Sequence, residues 1–377
     1  MSDRRGLALA LVALLVPAAA LAAEEDAPRR AIEATLERIR AEHGLPAIGV
    51  AVIDGGKTVV ATAVGVRSLA ADERVGPDDR FHLGSCTKAM TATLFEVVEG
   101  APRRDVPLAT VLPDLADRML PAYRPVTIDH LLAHRAGLPH TVPDGASLMD
   151  MHRFPGSARD QRRRYVELIV ATKPVGPAGE TFAYSNAGYV VAGLALEEAT
   201  GKSWEELMRE RLFRPLGMTT GGFGAPARAG RLDQPWAHRW DGERLVPVPP
   251  GPLADNPLAL GPAGTVHASM ADWARFVAAH LDGGPLLTRE QRAALHAPPL
   301  GGSYAGGWGI TERAWAEEGK SRTVLTHAGS NTLNFCVAWL APARRFAVLV
   351  ATNAGGPAAP TACDAVAAAM VKRYSGR

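Results

Sequence analysis

Apolar residues recur at helical spacing from Ala31 to Glu42 (Ile32, Leu36, Ile39), and Gly44-Leu45-Pro46 halts that helix. A short apolar run, Ile48 to Ile53, predicts a strand. Gly55-Gly56 punctuates it as a hairpin, and Val59 to Val66 reads as the returning strand. The period then changes. Ser85 to Glu99 carries Met90, Leu94, Val97 and Val98 on one side, and further helical stretches follow at Ile128–Ala133, Tyr165–Ala171, Gly188–Ala199 and Ser203–Leu212. Pro- and Gly-containing turns at Pro139, Pro174-Val175-Gly176 and Pro215-Leu216-Gly217 separate them. Pro247 to Gly264 is dense in Pro and Gly and predicts a crossing segment. After two more helices, Ala271–Leu281 and Thr288–His296, strand patterns return at Trp308–Thr311, Val324–His327, Phe335–Leu340 and Phe346–Thr352. The turn Ala341-Pro342-Ala343-Arg344 makes the last two a hairpin, and Ala362–Tyr374 closes the chain as a helix.

Strands at both ends with helices between them predict an α+β fold: an antiparallel sheet flanked by terminal helices, plus an inserted, mainly helical lobe. The expected division is 23–84 with 258–377 as the α/β lobe and 85–257 as the helical lobe, with a site in the cleft between them.

Residues 1–22 have a different character. Arg4 and Arg5 precede an apolar stretch from Leu7 to Val16, and Pro17 leads into Ala20-Leu21-Ala22, the pattern of a cleavable signal peptide. The stretch is too short to span a membrane comfortably. A periplasmic or secreted protein is expected, with no transmembrane segment in the mature chain.

The 377 residues carry 41 basic and 39 acidic side chains, a formal net charge of +2, which gives no reason to expect nucleic acid as a partner. The run Arg162-Arg163-Arg164 reads as a solvated helix face. Three cysteines, Cys86, Cys336 and Cys363, cannot all pair with one another, and none forms Cys-x-x-Cys. There is no His-Glu-x-x-His, no phosphate-binding glycine loop and no Gly-x-Ser-x-Gly. His130, His134 and His140 lie close together without acidic ligands, so no metal or other cofactor is expected.

Three short motifs carry candidate chemistry. In Gly84-Ser85-Cys86-Thr87-Lys88 the serine and lysine stand three apart, on one face of a helix whose N-terminal end supplies positive potential. A serine hydroxyl needs an adjacent base, and a lysine serves once burial lowers its pKa. Cys86, beside them, reads as an inert buried thiol. Tyr184-Ser185-Asn186 could relay a proton through the phenol and orient a carbonyl through the amide, or Asn186 could simply cap the following helix. In His327-Ala328-Gly329-Ser330 the Gly lets a substrate lie along the strand, with His327 and Ser330 available to a polar group. Each motif alone is weak.

Together, and in this order, they resemble the penicillin-recognising serine hydrolases: class C β-lactamases, D-alanyl-D-alanine carboxypeptidases and family VIII esterases. That family has Ser-x-x-Lys, Tyr-x-Asn and then Lys-Thr-Gly or His-x-Gly. Phe81-His82-Leu83-Gly84, the stretch His130 to Pro139, Pro262-Ala263-Gly264 and Gly307-Trp308-Gly309 extend the likeness from about Ala31 to the closing helix. The resemblance implies that Ser85 forms an acyl-enzyme and that Lys88 and Tyr184 share the proton work. It implies that Asn186, His327, Gly329 and Ser330 bind substrate, with the backbone N–H groups of Ser85 and Ser330 as oxyanion hole. His327 in place of lysine removes a fixed positive charge, which disfavours efficient β-lactam hydrolysis relative to peptidase or esterase action. The expected function is an exported serine hydrolase cleaving amide or ester bonds in a small-molecule or peptide substrate. The alternative is a catalytically silent peptide- or glycan-binding protein of the same fold. Substrate choice is expected to lie in loops such as Thr141–Arg153.

Overall fold

The computed structural model describes residues 18–142, 147–282 and 284–375. In chain order its principal elements are α1 (Ala18–Glu42), β1 (Ala47–Asp54), β2 (Lys57–Gly65), α2 (Thr87–Val97), α3 (Ala158–Ile169), α4 (Asn186–Thr200) and α5 (Met270–Asp282). Then come β3 (Tyr304–Ala305), β4 (Trp308–Glu312), β5 (Thr323–Ser330), β6 (Phe335–Ala341), β7 (Phe346–Thr352) and α6 (Ala358–Ser375). The seven strands form one antiparallel sheet in the order β2-β1-β7-β6-β5-β4-β3. The first strand of the chain pairs with the last, Ile48 opposite Thr352 through Ile53 opposite Ala347. The α+β architecture read from the pattern at the two ends is therefore the observed one.

Alternation along β1 sorts its side chains between two cores. Ile48, Val50 and Val52 pack with Ile32, Leu36, Val350, Val366 and Met370 under the terminal helices α1 and α6. Ala47, Ala51 and Ile53 face the opposite core, with Met90, Trp273 and Phe276. The β1–β2 hairpin turns through Gly55 and Gly56 at φ 56° and 83°, conformations that match the sheet's twist and that side chains other than Gly resist. At the other hairpin, Pro342–Arg344 forms a 3₁₀ turn and Arg345 takes φ 52°.

Several elements differ from the sequence expectation. Helix α1 starts at Ala18 and contains Pro28, because Ala-rich sequence ahead of the amphipathic stretch favours continued helix. The signal-like segment up to Pro17 lies outside the described residues. Helix α3 begins at Ala158, seven residues early, because Ser157 and Asp160 form a capping box. Short pairs also appear. Phe81–His82 and Gly222–Phe223 flank Val266–Ala268 in a three-stranded sheet, and Ala237–Trp240 pairs with Leu245–Val248. No described helix is long and apolar enough to cross a membrane.

The basic run on α3 is not uniformly solvated. Arg162 is buried among Glu197, Glu205 and Trp204, its Nη2 2.7 Å from Glu205 Oε1. Arg164 alone of the three is exposed, with its guanidinium 5.2 Å from the Phe154 ring centroid. Helical periodicity turns the first arginine inward, onto α4.

Candidate active site

Ser85 sits in a 3₁₀ turn, Gly84–Cys86, that leads directly into α2. The turn backs onto the end of β5. Gly84 has φ 46°, and a Cβ there would lie 2.5 Å from the Ser330 nitrogen; on the strand, a Cβ on Gly329 would meet the Leu83 carbonyl at 2.1 Å. Two glycines thus let nucleophile turn and strand touch backbone to backbone.

One helical turn on, Lys88 is fully buried. Its Nζ lies 3.1 Å from Ser85 Oγ, 2.7 Å from Asn186 Oδ1 and 2.7 Å from the Ala263 carbonyl. The rings of Tyr184 and Tyr189 flank it, with centroids at 5.0 and 5.6 Å. Burial pushes the amine down from its ordinary value to about 7. In the neutral form, an amine has two N–H donors and one lone pair. Asn186 and Ala263 accept the two donors, which leaves the lone pair for the Ser85 hydroxyl.

Asn186 can do this because it is not the helix cap. Ser185 is the N-cap of α4, its Oγ accepting from the Gly188 N–H, while Asn186 Nδ2 donates to Thr141 Oγ1 at 2.9 Å. Burial raises the Tyr184 phenol to about 12, so it stays protonated at neutral pH.

His327 is buried, and its Nδ1 donates to the Gly307 carbonyl, which leaves Nε2 to face Tyr184 Oη at 3.4 Å. Burial first, and then the nearby Lys88, lower it to about 4, so it is neutral at physiological pH. The side chain meets tyrosines on both sides, Tyr304 Oη lying 3.4 Å from Nδ1.

The ladder between β4 and β5 ends at Thr326 opposite Gly309, whereas that between β5 and β6 runs on to Ser330. Residues 327–330 therefore present an open backbone edge beside Ser85. Ala328 and Ser330 point to the other, exposed face, and Ser330 Oγ accepts the Thr332 N–H at 2.9 Å. A cavity of about 520 Å³ reaches from Tyr184, Tyr304 and His327 over the outer face of the sheet to Trp339, Pro360 and Asp364, and Ser85 does not line it. Of the residues expected from sequence, Ser85, Lys88, Tyr184, Asn186, His327 and Gly329 converge at the site, while Ser330 offers it its backbone.

Other residues at the site were given no role in it by the sequence. His134 holds a positive φ of 56°, accepts the Ser185 N–H at Nδ1 and lies 4.3 Å from the Tyr184 ring. Tyr304 follows a glycine-rich turn that gave no chemical signal. The Ala263 carbonyl was visible only as part of Pro262-Ala263-Gly264. Cys86 is buried as expected. Its Sγ lies 3.6 Å from that of Cys336, and all three cysteines are free thiols. Among the described residues, no group of three or more His, Cys, Asp or Glu side chains is arranged to hold a metal ion.

The sheet, its flanking helices and a Ser-Lys pair facing an open strand define the β-lactamase and transpeptidase-like class of fold. The chain belongs to the beta-lactamase family, whose model matches residues 32–371. Penicillin-binding protein 4 of Amycolatopsis lactamdurans is 33% identical over 66% of this chain and 62% of its own length. The D-alanyl-D-alanine-carboxypeptidase/endopeptidase AmpH of Escherichia coli is 31% identical over 46% of this chain and 44% of its own. An unguisins hydrolase of Aspergillus campestris is 30% identical over 64% of this chain and 45% of its own. The chain thus matches about half the length of these relatives. Among solved structures, the octameric penicillin-binding protein homologue from Pyrococcus abyssi superposes with a TM-score of 0.73 at 22% identity, covering 92% of this chain and 78% of that one. SurE gives 0.71 at 26% identity over 95% and 77%.

Proposed function

We propose that this protein is an exported serine hydrolase that forms an acyl-enzyme on Ser85 and cleaves amide or ester bonds, as a D,D-peptidase-like enzyme or an esterase. The observation that carries the proposal is the Lys88 amine, buried and held by Asn186 and Ala263 with its remaining valence toward Ser85. In the proposed reaction Ser85 Oγ attacks the substrate carbonyl carbon and its proton passes to Lys88 Nζ. The oxyanion is received by the backbone N–H groups of Ser85 and Ser330. Tyr184, still protonated, hands a proton to the leaving nitrogen or oxygen and is resupplied from Lys88. Water then attacks the acyl carbon, and Ser85 regains its proton as the acid product leaves.

The values near 7 for Lys88 and 12 for Tyr184 favour the lysine as base. Neutral His327 provides no fixed cation for a drug carboxylate, which supports peptidase or esterase action over β-lactam hydrolysis. Relatives named as a D-alanyl-D-alanine-carboxypeptidase/endopeptidase and as an unguisins hydrolase support the same reading. Residues 1–22 are proposed to direct export and to be removed. The site is proposed to lie between an α/β lobe (23–84 with 258–377) and a helical lobe (85–257).

A fluorophosphonate probe is expected to label the wild type and to leave Ser85→Ala unlabelled. Absence of labelling in the wild type, with an intact fold, points instead to a silent binding protein.

A further inference from the structure

A buried polar network joins the two backbone segments proposed to hold the oxyanion, and its centre is Asp255, in the crossing segment. His82 Nδ1 accepts the Gly84 N–H at 3.1 Å, which assigns the ring proton to Nε2. That nitrogen lies 2.7 Å from Asp255 Oδ1, off the line of a straight hydrogen bond; the two side chains are 1% and 5% exposed. The same carboxylate oxygen accepts from Asn331 Nδ2 at 3.0 Å. Asn331 Oδ1 in turn accepts the N–H of Leu333, the N–H of Asn334 and Asn334 Nδ2, at 3.2, 2.9 and 3.1 Å. The next residue, Asn256, donates to the Gly264 carbonyl at 2.8 Å, and a Cβ on Gly264 would be 3.4 Å from Gly84. One acceptor atom therefore touches, through His82, the turn that carries Ser85 and, through Asn331, the turn that follows Ser330.

We propose that Asp255 is a positioning residue that fixes the Ser85 and Ser330 N–H groups relative to one another, and that His82 and Asn331 transmit its hold. The inference rests on the acyl-enzyme reading above. Taking a carboxylate out of water is costly, and Asp255 Oδ1 is met by the Asn331 amide, just past β5, and by the His82 ring, in the short strand before Ser85, while its Oδ2 has no hydrogen-bond partner among the described residues. A loosened donor pair weakens binding of a tetrahedral oxyanion far more than binding of a planar substrate. The residue touches no substrate and takes no proton.

The test uses phenylboronic acid, which Ser85 Oγ adds to at boron, losing its proton to solvent through Lys88 and leaving a tetrahedral anion in the proposed hole. Kinetics with p-nitrophenyl acetate and melting temperatures accompany it. In Asp255→Ala, boronate Kd is expected to rise and kcat to fall by about 10- to 100-fold together, with KM within about threefold. Asp255→Asn keeps an acceptor oxygen for both neighbours and is expected to restore both quantities to within about threefold of wild type. Asn331→Ser is expected to behave like Asp255→Ala and serves if that variant does not fold. Wild-type boronate affinity in a folded Asp255→Ala or Asn331→Ser overturns the inference, as does a rise in KM with unchanged kcat. Absence of boronate binding by the wild type, or undiminished binding by Ser85→Ala, refutes the serine hydrolase reading instead, so the two failures are distinguishable.

Discussion

Lys88 is the residue on which chemistry and stability pull in opposite directions. Its unfolded value is near 10.4 and its folded value about 7, so between these limits the unfolded chain binds the extra proton. Stability contributed by this group therefore rises with pH from about 7 to 10 and is most unfavourable below 7. Lys88→Met removes the titration. Relative to wild type, the variant is expected to gain about 2–3 kcal/mol more at pH 6 than at pH 9, read by chemical denaturation at the two pH values. Its turnover is expected to fall by about two orders of magnitude or more. In the wild type, kcat/KM is expected to rise through a pKa near 7. A flat profile between pH 5 and 9 would contradict the role as base proposed for the lysine.

Ser85, Lys88, Tyr184 and Asn186 were legible as a site because fixed spacing on helices and a strand end expresses their chemistry locally. His82 and Asp255 were not. They stand far apart in the sequence, and only the three-stranded sheet and the crossing segment bring them together.

At the scale of elements, hydrophobic period identified every strand of the main sheet except β3, which has only two residues and too few positions to show alternation. The two- and three-residue strands around Val266–Ala268 escaped for the same reason. The start of α3 was missed although Ser157 and Asp160 spell a capping box, because three arginines interrupt the apolar pattern. Those arginines are not alike. Arg162 is fully buried beside Glu197, whose carboxyl is raised by its own burial and lowered in turn by Arg162, while Arg163 is about one-third exposed and pairs with Glu198 at 3.2 Å. Arg162→Met leaves Glu197 without its charge partner and is expected to cost about 3–5 kcal/mol. Arg163→Ala is expected to cost no more than about 1 kcal/mol. Urea titrations of the two variants check the contrast, and equal losses would mean that burial of the first arginine carries no special weight.

At the scale of the whole molecule, the pairing of β1 with β7 closes one sheet from the two ends of the chain, so the described polypeptide from α1 to α6 acts as a unit around the Ser85 turn. The start of α4 brings Tyr184 and Asn186 to that turn, the Pro- and Gly-rich segment brings Asp255 and Ala263, and the C-terminal strands bring His327 to Ser330. Residues distant in sequence thus meet at the Ser85 turn, where the proposed covalent step begins. The measurement that tests this most directly is intact mass and peptide mapping after acid quench of the protein mixed with a chromogenic cephalosporin or an aryl ester. A single acyl adduct on the peptide containing Ser85, absent in Ser85→Ala, is the predicted result. Turnover that persists in Ser85→Ala, or an adduct on another residue, would contradict the account.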